Sequence, residues 1–172
     1  MASNNVNQRQ NIVLTGFMGT GKSTVGRIIA DRLGWRFVDA DEEIVTRIGM
    51  SISEIFERQG EAAFRRYESM VCQSLVARSR QVIATGGGML VDPANLRVME
   101  STGFVVCLDA HPDVIRTRLG GGEGRPLAGN WEELLHNRRE VYGRIPLHVD
   151  TSHKSPEEVA QEVYDLWLNA SV

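Results

Sequence analysis

The run Gly16-Phe17-Met18-Gly19-Thr20-Gly21-Lys22-Ser23-Thr24 fits G-x-x-x-x-G-K-[ST], the spacing that cradles phosphate. An apolar run, Ile12-Val13-Leu14, precedes it, and a helical pattern of Val25, Ile28, Ile29 and Leu33 follows. Strand, loop and helix in that order are the context the motif requires. Glycines let successive backbone N–H groups turn inward as an anion nest. The helix behind them presents its positive dipole end to the same anion. Gly19, Thr20, Gly21, Lys22, Ser23 and Thr24 are therefore the candidate nucleotide contacts. Within that set Lys22 reaches toward β- and γ-phosphates, and Ser23 offers a hydroxyl to Mg²⁺.

Ligands of α/β sheets collect at the carboxyl ends of the strands, and three more groups fall there. Asp39-Ala40-Asp41 follows Phe37-Val38. Carboxylates two apart on an extended segment share a side, so one suits a metal and the other a substrate hydroxyl. A helix-capping aspartate would leave the same trace. Gly86-Gly87-Gly88 follows Val82–Thr85 and allows a ligand close to the backbone. Read alone, it is equally a plain turn. The third group is a set of arginines suited to small anions: Arg65, Arg118, Arg125 and Arg138. Glu68 lies three residues after Arg65, on the same helix face, where it can orient the guanidinium. By themselves Arg65 and Arg138 read equally as surface ion-pair residues.

These groups need a scaffold, and the chain alternates short apolar runs with helical patterns. Candidate strands are Ile12–Thr15, Arg36–Asp39, Gln81–Thr85, Phe104–Leu108 and Leu147–Asp150. Such alternation implies right-handed βαβ units and a parallel sheet. Ser51 with Glu54, Asn130 with Glu133 and Ser155 with Glu158 fit the capping box. Pro93, Pro112 and Pro156 suit first helical positions, and a final helix is expected over Pro156–Leu168. The glycine-rich stretch 120–129 interrupts the alternation. Its five glycines bar a helix interior, and it reads as a mobile lid carrying Arg125-Pro126-Leu127.

Bulk properties narrow the classes. At 172 residues, 42% hydrophobic and 24% charged, the chain reads as one ordinary globular domain over 11–172. Polar Met1–Gln10 has no apolar signal core and reads as a flexible tail. A net charge of −3 argues against a broad nucleic-acid-binding field. No run approaches membrane-spanning length, so a cytoplasmic enzyme without membrane or nucleic-acid partners is expected. Cys72 and Cys107 lack C-x-x-C spacing and read as buried free thiols, with a disulfide the weaker alternative. The four histidines lack metal-ligand spacing and read as surface or packing residues.

The order of these motifs resembles the shikimate kinase family over about residues 11–168. The matching pieces are the P-loop, Asp39-Ala40-Asp41, Phe64-Arg65-Arg66, Gly86-Gly87-Gly88, Arg125-Pro126-Leu127, and Arg138 four before Tyr142. The resemblance implies a three-layer P-loop kinase fold, a five-stranded parallel sheet flanked by helices with a mobile lid. It implies transfer of the ATP γ-phosphoryl group to the 3-hydroxyl of shikimate, with Mg²⁺; a monomer is expected. Lys22, Asp41 and Arg125 would be catalytic. Ser23 would ligate Mg²⁺ directly and Asp39 through water. Asp41, Arg65, Gly87 and Arg138 would bind shikimate, with a shikimate-binding region at about 41–68 and the arginines gripping the carboxylate. Phe56 and Phe64 would line the pocket. Arg118 and Pro156 would flank adenine, and Arg125 would meet phosphate as the lid closes. Family members often carry R-x-P-L-Y where this chain has Arg138-Arg139-Glu140-Val141-Tyr142, so Arg139 is the alternative second prong. Gluconate kinase, whose acceptor is also a hydroxy-carboxylate, is the rival enzyme reading. A kinase-like binding module without catalysis is the rival of another class.

Overall fold

The computed structural model describes residues 10–120 and 130–170. Five strands form one parallel sheet: β1 (Asn11–Thr15), β2 (Arg36–Asp39), β3 (Gln81–Ala84), β4 (Gly103–Asp109) and β5 (His148–Asp150). Their order is β2-β3-β1-β4-β5. The predicted strands all form, with ends shifted by a residue. β5 begins at His148 rather than Leu147, and β3 ends at Ala84 rather than Thr85.

Among the described residues, eight α-helices connect and cover the strands: α1 (Lys22–Leu33), α2 (Ala40–Ile48), α3 (Ile52–Gln59), α4 (Glu61–Val76), α5 (Pro93–Thr102), α6 (Pro112–Gly120), α7 (Trp131–Tyr142) and α8 (Pro156–Ala170). Strand periodicity sorts the core into two layers. Ile12 and Leu14 of β1 point to one face, where they meet Val25 and Ile29 of α1 and Val159 and Val163 of α8. Val13, between them, points to the other face, with Ile44, Ile55, Phe64, Leu75 and Met99 of the helices there. Both faces are covered, so the centre of β1, Ile12-Val13-Leu14, is an unbroken apolar run, as in buried parallel sheets.

Helix caps explain where several elements begin. Both halves of the capping box form at Ser51–Glu54 and at Ser155–Glu158. The box expected at Asn130 does not. Asn130 donates its amide to the Glu133 carboxylate and makes no side-chain cap to the α7 backbone. An asparagine side chain has a donor as well as an acceptor, and the donor found the acid first. Pro93 and Pro156 open α5 and α8 as expected. Cys72 and Cys107 are buried and free, so no disulfide joins them. The Met1–Gln10 tail, except Gln10, and all of the expected lid except Gly120 lie outside the described residues.

Candidate active site

The phosphate loop joins β1 to α1. Gly16, Gly19 and Gly21 have φ of +132°, +78° and +95°, a region that L side chains resist. A methyl group on Gly16 would overlap the Leu108 carbonyl, so the loop packs directly on β4. The Lys22 ammonium donates to the carbonyls of Gly16 and Phe17, both at 2.8 Å, which holds it across the loop mouth. Thr20 donates to the Phe17 carbonyl at 2.8 Å and locks the turn.

Asp39 serves two neighbours. Its Oδ1 caps α2 by accepting from the Asp41 and Glu42 amides at 3.0 and 3.2 Å. Its Oδ2 accepts from the Ser23 hydroxyl at 3.0 Å. Capping and metal-site geometry are therefore compatible, because the carboxylate has two oxygens. Asp41 is not on an extended segment, as its spacing suggested. The chain turns at Asp39 and places Asp41 in the first turn of α2. Ser23 and Asp39 form a pair of hard oxygen donors beside Lys22, the donor chemistry that suits Mg²⁺.

Three consecutive glycines gather the other groups. A methyl on Gly86 would stand 2.5 Å from Asp41 Oδ1. One on Gly87 would stand 2.9 Å from Arg138 Nη1, and one on Gly88 would overlap Arg65 Nη1. Each missing side chain thus leaves room for one functional group, delivered by α2, α7 and α4 in turn. Tyr142 fixes the turn by donating its hydroxyl to the Gly87 carbonyl at 2.6 Å. Burial pushes the Tyr142 phenol up to about 12, so it remains a donor at neutral pH.

Arg65 is held from below. Its Nη1 donates to Glu68 at 2.7 Å and its Nη2 to Glu61 at 3.1 Å. Burial alone would lower the Arg65 pKa, but Glu68 and then Glu61 outweigh it and raise it. Glu68 is 2% exposed, and burial raises its carboxyl pKa despite the opposing pull of Arg65. The two partners thus shift in senses that disagree about the pair. The 2.7 Å contact and the exposed side of Arg65 favour the ionised form. Arg138 stacks over the Phe17 ring at 5.8 Å, which ties α7 to the phosphate loop.

A cavity of about 430 Å³ lies beside the glycines, lined by Arg65, Glu68, Gly88, Asn137 and Arg138 among others. That volume suits a small ligand. Its lining does not include Asp41 or the phosphate loop. Arg138 links the two, lining the cavity while its guanidinium lies over the Phe17 ring of the phosphate loop. Arg139 faces elsewhere, into a second cavity of about 320 Å³ with Thr20, Asp109 and His148. Phe56 and Phe64 pair with ring centroids 4.9 Å apart. Arg118 donates to the Gly19 carbonyl at 3.0 Å and to the Thr151 carbonyl at 2.7 Å, which joins the loop to the segment after β5. Pro156 is exposed at the start of α8. Arg125 lies outside the described residues.

Sequence reasoning passed over the work of Tyr142, Glu61 and Phe17. Glu61 lies four residues before Arg65 and was open to the same helix-spacing rule that singled out Glu68. Nothing in the order of residues linked Tyr142 to Gly87, 55 positions away.

The family model for shikimate kinase matches residues 18–167. The chain belongs to the shikimate kinase family. It is 48% identical to the shikimate kinase of Geobacter sulfurreducens over 160 residues, covering 90% of this chain and 88% of the relative. Identity to the shikimate kinase of Thermodesulfovibrio yellowstonii is 42%, over 90% of this chain and 92% of that one. Among solved structures, the shikimate kinase from Acinetobacter baumannii in complex with shikimate aligns with a TM-score of 0.85. That pair shares 34% identity over 93% of each chain. The activity is that of the family, ATP-dependent phosphoryl transfer to shikimate.

Proposed function

We propose that the chain transfers the ATP γ-phosphoryl group to the 3-hydroxyl of shikimate, with the residues around Gly86–Gly88 positioning the acceptor. The convergence of Asp41, Arg138 and Arg65 on those three glycines carries this reading. Arg65 and Arg138 fork onto the carboxylate of shikimate, which supplies orientation as well as energy. Phe56 and Phe64 form an apolar wall, and the Gly87 backbone lies against the ring. With the carboxylate fixed, the hydroxyl is held toward Asp41 and the phosphate loop, and the entropic cost of alignment is met on binding.

Phosphoryl transfer asks mainly for positioning and charge neutralisation. Lys22 leaves the Gly16 and Phe17 carbonyls and turns its ammonium to the β- and γ-phosphates. The loop amides of Gly19, Thr20 and Gly21 and the amide of Thr24 surround the same oxygens. Ser23 would hold Mg²⁺ directly and Asp39 through a water; the ion supplies charge neutralisation when bound. Asp41 aligns the acceptor hydroxyl and takes its proton as the bond forms, a modest task in a loose transition state. Arg125 adds positive charge at the transferring group, a role drawn from its Arg-Pro-Leu sequence context. Arg118 and Pro156 flank adenine. The protein acts as a cytoplasmic monomer without nucleic-acid or membrane partners.

Asp41→Asn tests the centre of this scheme. The variant should fold and bind ATP as the wild type does, and lose on the order of a hundredfold or more in turnover with shikimate. Turnover near the wild-type level would remove Asp41 from both alignment and proton transfer.

A further inference from the structure

On the far side of α7 from the arginine cavity, three metal-ligating side chains converge. Cys107 and Asp109 come from β4, and His148 comes from β5. Their ligand atoms all lie within 4.8 Å of one another. The sheet dictates this meeting. Cys107 and His148 are register partners in the parallel ladder. Asp109 is two residues beyond Cys107, so it shares the same face. None of the three takes part in the phosphoryl-transfer scheme.

The histidine is oriented as a ligand. Its Nε2 lies 2.8 Å from the Ile145 carbonyl, an acceptor, so Nε2 carries a proton. In the neutral ring Nδ1 is then a lone pair. That lone pair faces Asp109 Oδ2 at 2.5 Å. Two acceptors at that separation need a positive centre between them, either a proton or a metal ion. A backbone carbonyl on the remote nitrogen is the usual arrangement behind a metal-bound imidazole. On the other carboxylate oxygen, Cys107 Sγ stands 3.6 Å from Asp109 Oδ1. Zinc bonds of 2.0–2.3 Å in a tetrahedron give ligand-to-ligand edges of roughly 3.3–3.7 Å. The sulfur–oxygen separation already has that length, and for Asp109 to ligate through one oxygen its carboxylate would turn until that oxygen faces both Cys107 Sγ and His148 Nδ1 at roughly that edge length.

We propose that Cys107, Asp109 and His148 form a site for a borderline divalent metal ion, Zn²⁺, with water as the fourth ligand. A mixed sulfur, nitrogen and oxygen donor set suits Zn²⁺ and disfavours Mg²⁺. Asp109 and His148 line the 320 Å³ cavity and are 46% and 35% exposed, which provides a route of entry. Cys107 is fully buried behind them. Burial first, and then Asp109, push its thiol above the ordinary range. A metal ion reverses that balance: the thiol proton leaves to solvent and the thiolate bonds the ion. The consequence is mechanical. β5 is a three-residue edge strand, and the ion would staple it to β4 beside the segment gripped by Arg118.

The test uses the full chain without an affinity tag, freed of metal by a chelator and titrated with Co²⁺ as a spectroscopic stand-in for Zn²⁺. One equivalent should produce a thiolate-to-Co²⁺ charge-transfer band and tetrahedral d–d absorption, both discharged by Zn²⁺. Cys107→Ser should abolish the charge-transfer band, and Cys72→Ser should leave it intact. Should Cys107→Ser fold poorly, His148→Gln and Asp109→Asn serve instead. Each should lose the Zn²⁺-induced rise in melting temperature seen in the wild type. Absence of the band, or a band that survives Cys107→Ser, would overturn the site. A Zn²⁺-induced rise in melting temperature that survives His148→Gln or Asp109→Asn would overturn it equally. Those outcomes would leave His148 and Asp109 as a hydrogen-bonded pair.

Discussion

At the scale of single residues, the most informative feature is what the Gly86–Gly88 side chains leave out. Gly88 has a φ of −101°, which any residue adopts, so Gly88→Ala should fold with near-normal stability. Its new methyl would still displace the Arg65 guanidinium. KM for shikimate should therefore rise while ATP affinity holds; an unchanged KM would show that Arg65 does not need its present position. The carboxylate clamp has a sharper test. Removing a charge-assisted contact from a shielded site costs roughly 1.5–3 kcal/mol, or about tenfold to over a hundredfold in kcat/KM. Arg65→Ala should show that loss. A shikimate analogue with a neutral amide in place of the carboxylate should hurt the wild type strongly and Arg65→Ala much less. Fully additive losses would separate Arg65 from the carboxylate. The same cycle at Arg138 and Arg139 decides the second prong. Arg138 is expected to couple and Arg139 not, because Arg139 faces the second cavity.

Elements matter because helices deliver the functional groups: Asp41 on α2, Phe56 on α3, Arg65 on α4 and Arg138 on α7. Helix α3 carries Phe56, and its start is fixed by the Ser51–Glu54 capping box. The Ser51 backbone N–H, and then the Ser51 side chain, hold the Glu54 carboxyl below its ordinary value of 4.5. A carboxyl lowered in the folded state contributes stability above its unfolded pKa and loses it as pH falls through the lowered value. Glu54→Gln should therefore melt below the wild type at neutral pH, and the gap should close in acid. Melting curves at neutral and acidic pH check this. A gap that is constant or wider in acid would assign the box's contribution to shape rather than charge. The failed box at Asn130 is instructive beside it. Serine offers one small hydroxyl to the backbone, whereas the asparagine amide found the Glu133 side chain instead.

On the scale of the whole molecule, legibility follows the distance over which a signal acts. The phosphate loop, the strands and the caps at Ser51 and Ser155 were readable because their causes lie within a few residues. The Arg65–Glu68 pair was readable for the same reason, one turn of helix. Strand order was not readable, since β3 inserts between β1 and β2, strands that follow one another in the chain. Nor was the meeting of Asp41, Arg138 and Arg65 at the glycines derivable from spacing. It came from resemblance in motif order, and the fold supplies its geometric reason. The Cys107–Asp109–His148 cluster left no trace at all, because His148 sits 41 positions after Cys107 and only ladder register joins them. The central claim concerns the acceptor, since the phosphate loop alone would serve many. It is tested by coupled ADP release from the wild-type protein with Mg²⁺ and ATP, offering shikimate or gluconate as sole acceptor. ADP release should depend on shikimate and stay at the background ATPase level with gluconate. Release with gluconate equal to or above that with shikimate, or no release above background with shikimate, would contradict it.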